Sequence, residues 1–262
     1  MKITYSQQHA HDLWKQYDRD GYLIFRNVID QELVLEAQRH VAWLIAKHPD
    51  LRPEQFHTFL VKDDPFWVRL VSDPNLLDIA EIFIGPDIAL FASHYICKPP
   101  ETGHPVLWHQ DGSYWPLEPM EVITLWLAVS DSTPENGCMR VIPGSQKEVL
   151  HATRERTDVE NVLTSSMDEN LVDESQAVDI VLAAGDVSIH HPNIIHGSEK
   201  NASPNWRNGL TIRYIPTTTR VLSEHHPIHM RGAKNAHLNT YDPFPKYREG
   251  EHMKFRDSEA WQ

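Results

Sequence analysis

Apolar and polar residues alternate along residues 121–131 (EVITLWLAVSD), which is the pattern of a strand whose two faces meet different surroundings. One face is wholly aliphatic, and the other mixes small, polar and aromatic side chains. The aliphatic face consists of Ile123, Leu125, Leu127 and Val129, and the mixed face of Thr124, Trp126, Ala128 and Ser130. Residues 87–97 and 207–216 alternate in the same manner. The pattern predicts a sheet that packs on a core with one face and lines a small polar cavity with the other.

The amino-terminal third shows helical rather than strand periodicity. Helices are predicted over residues 6–18, from 31 to about 48, over 65–72 and over 75–84, with one strand at 22–28. Asp30 is a suitable N-cap for the second helix, and we expect its histidines, His40 and His48, to lie on the surface. Because the helices precede most of the strands, the order predicts an α+β, mainly β arrangement in which helices buttress one sheet of a sandwich.

Composition narrows the possible partners. The chain has 262 residues, of which 40% are hydrophobic, so one domain with a full core is expected. A net charge of −13 argues against nucleic acid or an anionic membrane surface, and it makes an acyl-CoA an awkward substrate. Two cysteines cannot form a disulfide framework, and neither a leader nor a membrane-spanning run is evident. We therefore expect a cytoplasmic protein with a small-molecule substrate, while its oligomeric state stays open.

The first candidate for chemistry is His109-Gln110-Asp111, in which an extended backbone would point the imidazole and the carboxylate to the same side. With one further histidine, this pair would form the 2-His-1-carboxylate face that holds non-haem Fe(II) and leaves coordination positions open. The triplet alone is weak evidence, since about two are expected by chance from 17 His and 37 Asp+Glu. The second such triplet, His48-Pro49-Asp50, is interpreted as a helix exit because proline breaks regular structure.

A third ligand and a cation follow later in the chain. His196 ends a short predicted strand after the turn at residues 185–186, although His190 and His191 compete with it. Arg207 opens a strand beyond it, and a guanidinium can bind a carboxylate through two parallel hydrogen bonds. Arg213 lies an even number of residues further on, so both arginines share a strand face and parity cannot choose between them.

Several of these motifs occur together in a known order. WHQD, the NGC and PGS turn motifs, the GD turn, HGS and an arginine eleven residues after the last histidine together resemble the phytanoyl-CoA dioxygenase family of Fe(II)/2-oxoglutarate oxygenases. The resemblance is densest over 91–146 and 181–216, and RDGYLIFRNVID matches the family's opening strand more loosely. One departure is Gln146, where the family often has histidine; we expect it to affect the turn and not the metal.

The resemblance implies a double-stranded β-helix (jelly roll, cupin-like) and a complete set of site residues. It implies that Fe(II) is held by His109, Asp111 and His196, and that 2-oxoglutarate is bound by Arg207 with Lys98, Thr124, Trp126 and Ser198. The implied reaction uses O2 to hydroxylate an aliphatic C–H and releases succinate and CO2. Because halogenating relatives lose the carboxylate ligand, Asp111 favours hydroxylation, or a variant such as desaturation or epimerisation, over halogenation.

The single expected domain, 1–262, divides into four segments. These are a mostly helical buttress (1–86), a jelly-roll core (87–216), a lid insertion within it (147–180) and a carboxy-terminal tail (217–262). Three aromatic residues near the ligand pair are expected to form cavity wall that packs an aliphatic group or a cation: Trp108, Tyr114 and Trp115. The histidines of the tail are expected at the surface or the rim: His225, His226, His229, His237 and His252.

Two other functions remain open at this point. A hydrolase could use the same triad to hold Zn(II) and activate water, but it would have no use for an arginine that binds a carboxylate. A cupin-like binding protein, with a structural metal or none, would share the alternating strands. Such a protein would need neither the three ligands nor the arginine in this order.

Overall fold

The computed structural model describes residues 6–262, apart from the side chains of residues 58 and 59. Its α-helices are α1 Gln7–Asp20, α2 Gln31–Lys47, α3 Thr58–Val61, α4 Pro65–Val71 and α5 Pro74–Ile84. Its strands are β1 Tyr22–Phe25, β2 Ile88–Lys98, β3 Val106–His109, β4 Leu117–Glu118, β5 Ile123–Ala128, β6 Met139–Val141, β7 Arg154–Glu155, β8 Ser165–Ser166, β9 Val178–Ile180, β10 Val187–His190, β11 His196–Ser198, β12 Arg207–Pro216, β13 Arg220–Val221 and β14 Ile228–Arg231. The four predicted helices are confirmed by α1, α2, α4 and α5.

Local sequence explains where the helices begin. The side chain of Asp30 accepts a hydrogen bond from the backbone N–H of Leu33 at 2.8 Å, which confirms the predicted cap of α2. Asp64 caps α4 in the same way, through the N–H of Trp67 at 2.9 Å. Each cap stabilises its helix by about 1 kcal/mol. Gly21 ends α1 with φ +80°, a conformation that side chains with a Cβ rarely adopt.

Two antiparallel sheets face each other and form the predicted double-stranded β-helix. The larger sheet has the order β1-β10-β5-β12-β2-β14, and the smaller one has the order β3-β11-β6-β9. The outer face of the larger sheet packs on the helices through Leu125, Leu127 and Ile212, whereas its inner face packs Trp126 against the smaller sheet. The alternation in β5 therefore separates the two faces as predicted.

The larger sheet extends beyond residues 87–216 at both edges. Strand β1, from the amino-terminal segment, pairs with β10, and β14, from the tail, pairs with β2. Residues 147–180 form the hairpin β7–β8, short 3-10 turns and β9, which pairs with β6.

Cys97 and Cys138 are buried and not bonded to each other. Among the described residues, no helix combines the length and hydropathy needed to cross a bilayer.

The predicted surface position of His40 is wrong. Its ring is fully buried between Asp64, 2.9 Å from Nε2, and the hydroxyl of Tyr95, 3.2 Å from Nδ1. The helical period of α2 placed His40 near the aliphatic face, but only the packing of α4 and β2 around it decided its burial. His48 is the C-cap of α2 and is half-buried, so the interpretation of His48-Pro49-Asp50 as a helix exit is confirmed.

Candidate active site

The HQD triplet lies where β3 ends. Gln110 has φ −123° and ψ 120°, so the backbone is extended and its two neighbours point to the same side. The Nε2 atom of His109 lies 3.6 Å from Oδ1 of Asp111. Gln110 points the other way, where its amide donates to the carbonyl of Asn193 at 2.8 Å and accepts from the N–H of His151 at 2.8 Å. The predicted pairing of the imidazole with the carboxylate is therefore present.

His196 joins this pair across the sheet. It opens β11 and pairs directly with His109 in the antiparallel register, with ring centroids 4.0 Å apart. One potential ligand atom from each of His109, Asp111 and His196 lies within 4.8 Å of the others, and all three residues are buried. Sheet register thus brings together residues that are 87 positions apart in the chain.

Backbone carbonyls set the orientation of both rings. Nδ1 of His109 lies 2.8 Å from the carbonyl of Leu107, and Nδ1 of His196 lies 3.0 Å from that of Ile194. A carbonyl only accepts, so each Nδ1 carries the proton and each Nε2 offers its lone pair to the pocket. Two such nitrogens and one carboxylate on one side of a buried cavity fit a divalent iron ion that keeps open positions.

Charges in the pocket match that donor set. Burial raises the pKa of Asp111, but Arg213, followed by His109 and His190, outweighs it and holds this pKa well below its usual range. Burial, followed by His109, lowers the pKa of His196 well below its ordinary value. At neutral pH the pocket therefore presents an ionised carboxylate and a neutral imidazole, the protonation states that a metal ion requires.

The two competing histidines have different positions. His190 ends β10 and lines the same pocket, with Nε2 3.7 Å from Oδ2 of Asp111 and its ring 4.7 Å from that of His196. His191 turns away, and its Nδ1 accepts from the N–H of Asn193 at 3.0 Å. His190 is thus a neighbour of the triad, and His191 is not.

Arg207 lines one end of the pocket, which we call the deep end, and Lys98 lies beside it without lining the pocket. They face each other across β12 and β2, and both are fully buried. Arg207 donates to the carbonyls of Gly137 at 2.8 Å and Ile96 at 3.1 Å, and Lys98 donates to Oγ of Ser198 at 2.7 Å. In the part of the chain that the structure describes, neither side chain forms an ion pair with an acidic side chain. Burial, followed by Arg207, lowers the pKa of Lys98 well below its ordinary value. Burial lowers the pKa of Arg207 to about 10, so the guanidinium stays charged at neutral pH.

Trp126 forms a wall of the deep end. The guanidinium carbon of Arg207 lies 5.2 Å from the centre of its ring. A Cβ atom at Gly209 would lie 1.9 Å from the same ring, so only glycine allows this approach. Thr124 is buried two residues away and pairs in register with Arg213 and His190, but it is not part of the pocket wall. Its hydroxyl has no hydrogen-bond partner among the described residues.

Arg213 lies at the opposite end, which we call the mouth end. Its Nη2 atom is 3.4 Å and 3.5 Å from the two carboxylate oxygens of Asp111, and Nη1 donates to Oγ1 of Thr211 at 3.0 Å. The guanidinium carbon lies 5.0 Å from the ring centre of Trp115. Arg213 is therefore occupied by the carboxylate of the triad, a distinction from Arg207 that strand parity could not make.

The expected aromatic wall is confirmed for two of its three members. Tyr114 and Trp115 line a cavity next to the triad pocket. Trp108 points to the other side of β3, where it packs on Met167 and Ile195, so the prediction for Trp108 is wrong. Strand alternation contained the signal, because His109 and its direct neighbour cannot face the same side. Sequence reasoning missed other wall residues, which come from separate segments: His57, Phe91, His94 and Leu163.

Comparison with known proteins identifies the family of this chain. A family model for phytanoyl-CoA dioxygenase (PhyH) matches residues 17–209, well over half of the chain. The ectoine dioxygenase of Sphingopyxis alaskensis is 25% identical over 231 residues, which cover 78% of this chain and 75% of that enzyme. The matched region of the family model contains the triad and Arg207 and ends before Arg213.

Solved structures share the fold. The non-heme monooxygenase ThoJ superimposes with a TM-score of 0.76 at 23% identity, covering 89% of this chain and 88% of its own. EctD from S. alaskensis, solved with 2-oxoglutarate and 5-hydroxyectoine, gives a TM-score of 0.67 at 22% identity, covering 89% of this chain and 86% of its own. This chain therefore shares its two-sheet architecture with both of these proteins.

Proposed function

The chain belongs to the phytanoyl-CoA dioxygenase family and is an Fe(II)/2-oxoglutarate-dependent dioxygenase, and we propose that it hydroxylates an aliphatic C–H of a small molecule. In this proposal His109, Asp111 and His196 hold the iron, and Arg207 and Lys98 bind the far carboxylate of 2-oxoglutarate. One oxygen atom of O2 enters the substrate as a hydroxyl group. The other enters succinate as 2-oxoglutarate loses CO2.

The observation that carries the proposal is the unpaired positive charge at the deep end. A buried charge without a counter-charge costs several kcal/mol, on the order that breaking a buried pair costs. Arg207 has only backbone carbonyls as printed partners within the described residues. Burial, followed by Arg207, lowers the pKa of Lys98 well below its ordinary value, so the charge that lacks a paired carboxylate is that of the Arg207 guanidinium. A dicarboxylate whose other end reaches the metal would supply that carboxylate, and a hydrolytic Zn(II) site would not need it.

The choice of Arg207 over Arg213 rests on charge balance. The Arg213 guanidinium already has the Asp111 carboxylate as its partner. The Nε atoms of both arginines lack a partner among the described residues, but the other nitrogens of Arg207 have only uncharged partners. A carboxylate can therefore bind Arg207 without displacing an existing ion pair. Ser198, which accepts from Lys98, and Trp126 complete the proposed cosubstrate site, whereas Thr124 would act only through the packing behind it.

The residues of the chain orient the reaction and keep water out. Iron at this site would supply the redox chemistry that couples decarboxylation of 2-oxoglutarate to oxidation of the substrate. The carbonyls of Leu107 and Ile194 hold the two imidazoles in one tautomer and orientation. Arg213 orients the Asp111 carboxylate and keeps it ionised. Since this carboxylate occupies its ligand position, we expect hydroxylation or a related C–H oxidation and not halogenation.

We assign residues 147–180 to the rim of the site. The hydroxyl of Tyr114 lies 2.8 Å from Oγ of Ser165, and the N–H of Val162 donates to the carbonyl of Pro105 at 3.0 Å. Leu163 lines the pocket of the triad. These contacts support a role as a lid that helps to exclude water, as expected from the length of the insertion.

An anaerobic titration tests the proposal. Fe(II) followed by 2-oxoglutarate should produce the weak visible charge-transfer band of the chelate in the wild-type protein and not in His109→Ala. His237→Ala is the matched control, because His237 is exposed in the tail and should leave the band unchanged. No band in the wild type, with Fe(II) bound no better than other divalent ions, would overturn the oxygenase assignment and favour a hydrolase. With a substrate present, succinate and hydroxylated product should form in equal amounts.

A further inference from the structure

A second cavity adjoins the triad pocket. It has a volume of about 740 Å³, and both cavities are lined by His94, Ile96 and Leu163. That volume is typical of sites that bind small organic molecules. We call this cavity the outer chamber, and its main walls are Leu51, Phe91, Tyr114, Trp115, Val162 and Leu163. A molecule bound there would present one of its carbons to the proposed iron site.

Ring and aliphatic side chains give the outer chamber an apolar corner. The rings of Phe91 and Trp115 lie 6.1 Å apart with an interplanar angle of 71°, an edge-to-face pair. Leu163 belongs to the rim segment and lines the same chamber. The rings of Phe91 and Trp115 stand at a steep angle beside the aliphatic side chain of Leu163. This arrangement suits a ligand with a ring system, which can pack its face against one of the two rings and its edge against the other.

The outer chamber offers no fixed charge to a ligand. Glu54 is the one acidic side chain in its described wall, and it is 3% exposed because Arg52 binds it at 2.8 Å and the N–H of His104 donates to it at 3.0 Å. No lysine or arginine belongs to that described wall. The Arg213 guanidinium stacks on the ring of Trp115 and so competes with a cationic ligand for this ring. The Asp111 carboxylate is the counter-charge of Arg213, so this guanidinium does not need an anionic ligand.

Polar contacts in the chamber come from three imidazoles, with Gln55 and Ser223 beside them. His57, His94 and His225 line it. Burial, followed by Arg213, lowers the pKa of His94 to about 3, and burial lowers the pKa of His225. A neutral imidazole ring has one donor and one acceptor nitrogen, so it recognises hydroxyl and carbonyl groups without requiring charge.

We propose that the substrate is a neutral, ring-containing and mostly apolar molecule that carries hydroxyl or carbonyl groups and binds in the outer chamber. This inference rests on the proposed function, because it takes the triad as the point of oxidation. It argues against an acyl-CoA, whose phosphates would find no cation in the described wall, and against a quaternary ammonium compound or a zwitterionic amino acid.

Three probes with the same ring test the charge preference. They are 2-acetylnaphthalene, 2-naphthoate and protonated 2-(aminomethyl)naphthalene, titrated by calorimetry at neutral pH into the protein loaded with Fe(II) and 2-oxoglutarate under argon. The neutral probe should bind at least about tenfold more tightly than either charged probe. Trp115→Ala should lower the affinity for the neutral probe at least about fivefold and leave the chelate band intact. Trp14→Ala, on the exposed face of α1, is the matched control and should change neither.

A second variant keeps the test independent of the folding of Trp115→Ala. Leu163→Glu places a carboxylate in the chamber wall, so the ammonium probe should gain affinity and the neutral probe should lose it. Equal affinity for the three probes, tighter binding of a charged one or binding of none overturns the inference. The chelate band is recorded on the same samples. If it forms, only the substrate class is wrong; if it does not, the proposed function itself is wrong.

Discussion

The two ends of the triad pocket contain the same residue type on the same strand, but they differ in charge balance. Arg207 and Arg213 lie six positions apart on one face of β12, and both are buried. At the deep end, Arg207 contacts two carbonyls and the ring of Trp126. At the mouth end, Arg213 contacts the carboxylate of Asp111. What a buried arginine can bind is therefore decided by its partners and not by its place in a strand.

This difference assigns different tasks to the two ends. An arginine whose partners are all uncharged is prepared for an anionic ligand, because the ligand supplies the missing counter-charge. An arginine that is already paired can hold its carboxylate in position, as partners behind a metal ligand commonly do. The deep end is thus suited to the cosubstrate, and the mouth end is suited to holding Asp111 and facing an uncharged substrate.

The largest expected effect comes from making the mouth end resemble the deep end. Asp111→Ala removes a proposed ligand and leaves Arg213 unpaired, so Fe(II) affinity should fall at least about 100-fold and the free energy of unfolding by about 3–5 kcal/mol. Urea unfolding and Fe(II) titration measure these changes. Added formate should restore part of the stability in the variant and none in the wild type. If formate has no effect, Arg213 is not left unpaired by the substitution.

The next largest effect is expected from a substitution at the deep end. Arg207→Lys keeps one charge but loses the two-pronged fork, so the 2-oxoglutarate concentration that half-saturates the chelate band should rise about 10- to 100-fold. Arg220→Lys is the matched control, since Arg220 is exposed on β13. An unchanged half-saturation in Arg207→Lys, together with a large rise in Arg213→Lys, would reverse the assignment of the two ends.

The third effect is confined to the mouth end. Arg213→Gln can still donate to Asp111 but lacks the charge, so Fe(II) affinity should fall about tenfold, at the lower end of the range for partners behind a metal ligand. The affinity of the iron-loaded variant for 2-oxoglutarate should change by less than about threefold. Competition with a metal indicator measures the first quantity, and the chelate band measures the second.

The smallest expected effect is on the pH dependence of the free energy of unfolding. It concerns His94, which lines both cavities. Its pKa is lowered from 6.5 to about 3, so between these values the unfolded chain binds a proton that the folded chain does not. Stability therefore falls as the pH falls through this window, by up to about 1.4 kcal/mol per pH unit from this group. His94→Gln should show a shallower decline in urea unfolding of the apo-protein between neutral pH and pH of about 5. An identical slope would mean that His94 is protonated in the folded protein.

Much of this protein could be predicted from short-range patterns. Alternation along β5 predicted both faces of the strand, and Asp30 predicted the start of α2, because strand pleating and helix capping involve only neighbouring residues. The extended backbone at Gln110 likewise placed His109 and Asp111 on one side. The order of the motifs predicted the family, although the role of each site residue stays a prediction until it is measured.

Only the tertiary structure decided what depends on segments far apart in the chain. The register of β11 with β3 set His196 opposite His109, and the packing around α2 buried His40. Strand parity could not separate Arg207 from Arg213, because charge balance depends on which carboxylate another strand brings near. The outer chamber is likewise assembled from several segments, none of which encloses a cavity alone. The sequence by itself determined the local conformations and the set of reactive groups, and long-range packing decided which of those groups meet.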